Sequence, residues 1–121
     1  MPTYDDWRAK VKPLGKKRLR LPFNERVSEE EAARAKSGLL PESMDDKWAG
    51  FWLESEVAFC HSWTGQQIYS LPIKKSASGY EVGPLEVLDD IAVYRRSSDE
   101  VDVGLASRLL ARLTKRNEKT A

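Results

Sequence analysis

Residues 48–65 read Trp-Ala-Gly-Phe-Trp-Leu-Glu-Ser-Glu-Val-Ala-Phe-Cys-His-Ser-Trp-Thr-Gly and carry the strongest strand signal in the chain. Two runs rich in aromatic and apolar residues, 47–53 and 57–63, flank the polar tripeptide Glu54-Ser55-Glu56. Aromatic and β-branched residues favour strands, and so short a connection joins antiparallel neighbours. The pattern therefore predicts a β-hairpin, followed by a turn at Trp63-Thr64-Gly65, where glycine supplies a permissive backbone.

Two further strands are predicted downstream of the hairpin. Residues 66–73 form the third strand, and residues 80–87 form the fourth after a loop at 76–79. Gly83-Pro84 interrupts the fourth strand, and because proline cannot donate to a ladder, this strand belongs at an edge or a bulge. The short connections predict a four-stranded antiparallel β-meander over residues 47–94.

The C-terminal region, residues 97–116, is predicted to be a helix. Ser97 is the expected N-cap, and Glu100 stands three residues later, where it completes a capping box. Apolar residues recur at helical spacing and define one stripe: Val101, Leu105, Leu109, Leu110 and Leu113. We expect this helix to pack across one face of the sheet, since no other predicted element can cover the stripe. The predicted fold class is α+β.

The segment 25–46 is predicted to hold a short helix and a connector. Ser28 is a favourable N-cap residue, and Glu31 stands at the third helical position to complete a capping box. Acidic residues that follow the cap lie at the positive end of the helix dipole, where negative charge is favoured. The sequence therefore predicts a helix that begins directly after Ser28.

Residues 1–24 form a basic N-terminal arm. Thr3 and Asp6 have the spacing of a capping box for a short helix over residues 4–11, and the prolines and glycine that follow predict irregular structure. Seven positive residues and no acidic one occupy positions 8–20: Arg8, Lys10, Lys12, Lys16, Lys17, Arg18 and Arg20. Such an arm is solvated, packs against acidic patches of its own molecule, or contacts the phosphates of a nucleic acid.

Composition limits the classes of function. The 121 residues, 40% hydrophobic and 32% charged, fit one globular domain, 1–121, and the net charge of +1 argues against a nucleic-acid binder that uses its whole surface. A single cysteine, Cys60, and a single histidine, His61, exclude an internal disulfide and any usual zinc site. We expect neither a metal nor a cofactor. Signatures of Walker loops, dinucleotide folds, serine hydrolases and metalloproteases are absent from the sequence.

The sequence also predicts where the protein acts. No apolar run approaches the roughly 18 residues needed to span a bilayer. The first seven residues lack the basic-then-apolar order of a signal peptide. We therefore expect a cytoplasmic protein without a membrane partner.

Several motifs in residues 40–113 resemble a family of small bacterial proteins of unassigned function. Asp46-Lys47-Trp48 is followed, after an aromatic hairpin, by Cys60-His61-Ser62-Trp63-Thr64-Gly65 and then Ile68-Tyr69. Tyr94 and the run Asp99-Glu100-Val101-Asp102 precede the leucine-rich helix. The resembling proteins carry Phe-His-Arg-Ser-Trp-Thr-Gly, so Cys60-His61 replaces their His-Arg pair. Any chemistry that this pair performs in the family is expected to be altered or lost here.

The His61-Ser62-Trp63-Thr64-Gly65 turn is the most distinctive candidate site. In one interpretation the Ser62 and Thr64 hydroxyls bond to the backbone while Trp63 plugs the sheet. In the other, the turn lines a small pocket, with Trp63 as an apolar wall and Thr64 or His61 as polar groups. Cys60 and His61 point to opposite faces of a strand, so they cannot act as a nucleophile–base pair. Cys60 is then a small buried hydrophobe, and His61 a lone candidate for a catalytic base.

Aromatic residues on both faces of the hairpin suggest a contact surface. Trp48 and Trp52 share one strand face, and Phe51 lies on the other. Either one face meets a partner or ligand, or the N-terminal helix covers it. The candidate binding residues are Trp48, Trp52, His61, Ser62, Trp63, Thr64 and Tyr69.

Three hypotheses of function follow from these candidates. The first is an interaction module of bacterial type, an immunity, antitoxin or accessory protein, that binds a protein partner such as a toxin or enzyme encoded nearby. The second is a small enzyme or ligand-binding domain with a pocket at His61, Trp63 and Thr64. The third is nucleic-acid binding through the basic arm.

Overall fold

The computed structural model describes residues 3–43, 45–92 and 94–115; the last residue of the predicted C-terminal helix, Arg116, lies outside this set. Three helices and seven strands form an α+β fold in the described residues, as the sequence predicts. The helices are α1 (Tyr4–Ala9), α2 (Glu29–Ala35) and α3 (Asp99–Lys115). The strands are β1 (Arg18–Leu21), β2 (Glu25–Ser28), β3 (Trp48–Trp52), β4 (Glu56–His61), β5 (Gln67–Ser76), β6 (Gly79–Val82) and β7 (Leu85–Leu88).

The sheet is antiparallel throughout, but it is not the predicted four-stranded meander. Five strands follow the order β1-β7-β5-β4-β3, and β6 pairs with β5 on one side and β2 on the other. The long strand β5 serves both groups: Tyr69 pairs with Val87 of β7, and further along Ile73 pairs with Val82 of β6. The predicted hairpin is confirmed as β3 and β4, with Trp48 opposite His61.

Proline and glycine explain the extra strands. The predicted fourth strand is divided at Gly83, whose φ is 132° and whose missing Cβ would lie 1.9 Å from the Phe23 carbonyl oxygen. A glycine is required there, and Pro84 cannot donate to a continuous ladder. In the arm, Pro22 separates β1 from β2 and does not prevent strands, so the prediction of irregular structure up to residue 24 is wrong for residues 18–21.

The two faces of the β3–β4 hairpin are covered by different elements. Val57, Phe59 and Trp52 belong to the main core, which also contains the apolar stripe of α3. The opposite face carries Phe51 and Cys60, and residues of α1 pack against it. Of the two alternatives left by the sequence, coverage by the N-terminal helix holds for this second face.

Helix α3 packs on the core along a stripe that differs from the predicted one at its start. Leu109, Leu110 and Leu113 are buried as expected, but Val101 is 49% exposed and Asp102 is fully buried in its place. The cap is also shifted by one residue, since the Val101 amide donates to the Ser98 hydroxyl at 3.2 Å. The capping boxes predicted for α1 and α2 are both formed.

Candidate functional site

The turn between β4 and β5 is held by hydrogen bonds to the backbone. The Gly65 amide donates to the His61 carbonyl at 2.8 Å, and the Ser62 hydroxyl donates to the Asp46 carbonyl at 2.7 Å. The Thr64 hydroxyl accepts from the Gln66 amide at 3.2 Å. These contacts match the predicted roles of the two hydroxyls.

Trp63 does not plug the sheet, contrary to the first interpretation of the turn. Its side chain is 69% exposed, whereas Ser62 beside it is buried. The hydrogen bonds within this segment place Ser62 in the interior and leave the Trp63 indole on the surface. An exposed indole is a large amphipathic group that suits a recognition surface.

The basic arm lies directly against this turn. The Lys12 amide donates to the Gly65 carbonyl at 2.8 Å, and the Gln67 amide donates to the Lys12 carbonyl at 2.9 Å. The Lys10 ammonium donates to the Ser62 carbonyl at 3.1 Å. Gly65 has a φ of 76°, and a Cβ there would lie 2.1 Å from the Lys10 carbonyl oxygen, so only glycine permits this approach.

An open cleft of about 370 Å³ lies beside the turn. Lys47, Trp48, His61, Trp63 and Thr64 line it. Four of the seven predicted binding residues are thus brought together, and Lys47 joins them from the start of the hairpin. The volume of the cleft lies at the lower end of the range of small-molecule binding sites.

The other three predicted binding residues do not line the cleft. Ser62 is buried in the turn, and Tyr69 is fully buried behind Trp48. Trp52 lies at the far end of the hairpin, where its ring meets the edge of Tyr80 at a centroid distance of 5.4 Å. The prediction that all seven form one surface is therefore too broad.

Four rings form a continuous cluster at the floor of the cleft. Trp48 stacks on Tyr69, with centroids 5.5 Å apart and planes within 9° of parallel. His61 meets Trp48 at 4.8 Å and Tyr94 at 5.6 Å, both in edge-on arrangements. Tyr69 covers one face of the Trp48 indole, so the remainder of that half-buried ring is what the cleft presents.

A buried carboxylate supports this ring cluster from within. Asp102 is fully buried, accepts from the Tyr69 hydroxyl at 2.7 Å and accepts from the Arg96 Nε at 2.9 Å. Arg96 also pairs with Asp99 on the surface of α3. A paired and hydrogen-bonded carboxylate is the form in which a charge is tolerated in a core.

Sequence reasoning missed this role of Asp102. The signal was present, because positions 102, 106, 109 and 113 follow the helical spacing of the buried stripe. A single acidic residue at an inward position of an apolar stripe indicates a buried, partnered charge. Its partner Arg96 lies in a loop, where spacing gives no signal.

The titratable groups of the hairpin differ in environment. Burial, with a smaller contribution from the Lys47 charge, lowers the pKa of His61 from its ordinary value of 6.5, so the imidazole is neutral near pH 7. Burial raises the pKa of the Cys60 thiol to about 12. Burial and the hydrogen bond to Asp102 raise the pKa of Tyr69. Cys60 lies on the α1 face, away from the cleft, which agrees with its predicted structural role.

The basic residues of the arm do not form one uniform surface. Arg18 and Arg20 both pair with Glu86, with N–O distances of 2.6 Å and 3.4 Å. Lys10 contacts the turn and lies over the Trp7 ring at 4.7 Å. The four others are exposed: Arg8, Lys12, Lys16 and Lys17. Basic residues near both ends of the run thus contact other parts of the same molecule.

Comparisons with protein-family models, with curated proteins and with solved structures find no match for this chain. Within residues 3–43, 45–92 and 94–115, no group of three or more acidic, histidine or cysteine side chains is placed to hold a metal ion. None of the helices in that part of the chain is long and apolar enough to cross a membrane.

Proposed function

We propose that the protein is a binding module that recognises a protein partner through the cleft lined by Lys47, Trp48, His61, Trp63 and Thr64. The observation that carries the proposal is an exposed indole at the edge of an open aromatic cleft. Tryptophan is enriched at interfaces because its large rigid ring buries much surface at a small entropic cost. The module is of the type found in cytoplasmic bacterial immunity, antitoxin or accessory proteins, whose partner is a toxin or enzyme encoded nearby.

The exposure of Trp63 supports this surface. Three large hydrophobic residues are exposed in the described chain, Trp63, Ile91 and Val101, and Trp63 is the one that lines the cleft. A large exposed ring beside an apolar cleft is typical of a recognition site.

The rigid support beneath the cleft favours binding. Trp48 is fixed between Tyr69 and His61, and Tyr69 is fixed by Asp102. A preorganised wall loses little conformational entropy when a partner docks. Trp63 then serves as the contact that closes over the partner's side chain.

Site-specific photo-crosslinking tests the proposal. A photoreactive phenylalanine derivative is placed at Thr64, which is exposed and lines the cleft, in the cells that make the protein. The matched control places the same group at Ser78, which is exposed in the loop between β5 and β6. We expect one discrete protein adduct at Thr64, lost when Trp63→Ala is added and absent at Ser78. Identical adducts at both positions would overturn the proposal.

A small-ligand or enzymatic role is the second candidate. The observation that favours it is His61, which lines the cleft and whose lowered pKa leaves a neutral imidazole able to accept a proton. Native mass spectrometry of the purified protein distinguishes the two. A retained small molecule that Trp63→Ala releases would support the second candidate over a protein partner.

A nucleic-acid role for the arm is the third candidate, supported by the exposed residues Arg8, Lys12, Lys16 and Lys17. The ion pairs of Arg18 and Arg20 with Glu86 weaken it, because cations that are already neutralised release fewer counterions on binding.

A further inference from the structure

We infer that the segment of the partner that enters the cleft is acidic, with a single aromatic residue flanked by aspartate or glutamate. This inference rests on the proposed function and specifies the chemistry of the partner. The cleft supplies ring surfaces for the aromatic anchor, and Lys47, which lines it, supplies complementary charge.

One lysine, Lys47, lines the cleft, and the hydrogen bonds of the arm hold two others, Lys10 and Lys12, beside the turn that carries Trp63. None of the three forms an ion pair with the described part of the chain, and no acidic side chain lines the cleft. A patch of one sign at the edge of an apolar cleft selects a partner of the opposite sign.

The environment of His61 agrees with a positive charge at the cleft. Burial is the main cause of the lowered pKa of His61, and the nearby charge of Lys47 lowers it further. A carboxylate bound near Lys47 would offset that charge. Lys47 and His61 therefore both line the cleft and interact electrostatically with each other.

An acidic peptide fits this surface better than a nucleic-acid strand does. Continuous tracking of phosphates needs a row of available cations. Lys47 is the charged residue that lines the cleft, whereas the two arginines at the far end of the basic run share the single carboxylate of Glu86. The charge available at the cleft is short in extent, as a few carboxylates are.

Four model pentapeptides test the inference by NMR titration of the full chain. Each is acetylated and amidated: Glu-Glu-Trp-Glu-Glu, Ser-Ser-Trp-Ser-Ser, Lys-Lys-Trp-Lys-Lys and Glu-Glu-Ala-Glu-Glu. We expect the acidic tryptophan peptide to bind best, the neutral one roughly fivefold more weakly, and the basic one more weakly still. Loss of the anchor in the alanine peptide weakens binding by roughly tenfold or more.

Variants locate the charge that selects the peptide. Lys47→Gln should weaken binding of the acidic peptide by roughly two- to fivefold and leave the neutral peptide unaffected. Lys16→Gln is the matched control, an exposed lysine of the basic arm beyond the stretch bonded to the turn. At 0.5 M salt the preference for the acidic peptide should shrink, since screening weakens exposed charge pairs.

The outcomes separate the inference from the proposed function. If the three tryptophan peptides bind equally and the alanine peptide does not, the cleft stands as a recognition site and the acidic inference is overturned. If no peptide binds, the acidic inference is overturned, and crosslinking from Thr64 decides the proposed function separately. If a twelve-residue thymidine oligonucleotide binds more tightly than the acidic peptide, the surface belongs to nucleic acid and both protein-based proposals fail.

Discussion

Trp48 and Trp52 lie on the same face of the same strand, yet one is open to the surface and the other is closed. Trp52 is 8% exposed and meets Tyr80, which β6 brings over it. Trp48 is half-buried, is backed by Tyr69 on one side and lines the cleft. The strand pattern decides which face a residue occupies, whereas the elements that arrive from elsewhere in the chain decide whether that face is covered.

The largest expected effect is at the closed end. Trp52→Ala should lower the free energy of unfolding by about 3–5 kcal/mol, because it removes a large ring from a packed core. Trp48→Ala should cost less, because part of that ring is already in water. Urea denaturation of both variants measures the difference. Equal losses would contradict the assignment of one open and one closed end.

Asp102→Asn tests the polar support beneath the open end. Removing one partner of a buried ion pair should cost about 3 kcal/mol, because the Arg96 charge loses its compensation. Asp99→Asn is the matched control: it removes the exposed partner of the same arginine and should change stability by less than about 0.5 kcal/mol. If the two variants unfold at the same urea concentration, the carboxylate of Asp102 is not the support described above.

The pH dependence of stability should carry a contribution from His61. Its folded pKa lies below the ordinary 6.5, so the unfolded chain takes up the proton first as the pH falls. Stability is therefore unaffected above pH 6.5 and declines as the pH falls through 6.5 towards the folded pKa. NMR titration of this single histidine measures the shift. Lys47→Gln should raise its pKa and Lys16→Gln should not; an unchanged value in Lys47→Gln would refute the contribution of the Lys47 charge.

Trp63→Ala should have the smallest effect on stability and a large effect on binding. Loss of a side chain that is 69% exposed should change the free energy of unfolding by less than about 0.5 kcal/mol. Crosslinking of the partner from position 64 should nevertheless disappear. A destabilisation as large as that of Trp52→Ala would show that Trp63 is a core residue.

Local signals in the sequence predicted much of this fold. The hairpin, the capping boxes of α1 and α2, the burial of Cys60 and the inward hydroxyl of Ser62 all follow from spacing and residue type. The turn is the most distinctive candidate site in the sequence because it combines tryptophan, hydroxyls and glycine within five residues.

Those local signals could not predict pairing between strands that are distant in sequence. Strand β1 pairs with β7 across 66 positions of the chain at Arg20 and Glu86, and its lysine- and proline-rich surroundings resemble a loop. For the same reason the cleft could not be predicted from the sequence. Lys47, the arm and the turn are brought together only by hydrogen bonds between segments that are distant in sequence.

The indole NMR signals of the four tryptophans test the central claim most directly. In a titration with the acidic tryptophan peptide, Trp48 and Trp63 should shift together with the imidazole of His61. Trp52, under Tyr80, and Trp7, on the α1 face, should stay unchanged. Shifts at Trp52 or Trp7 without shifts at Trp48 and Trp63 would contradict recognition at the open end of the hairpin.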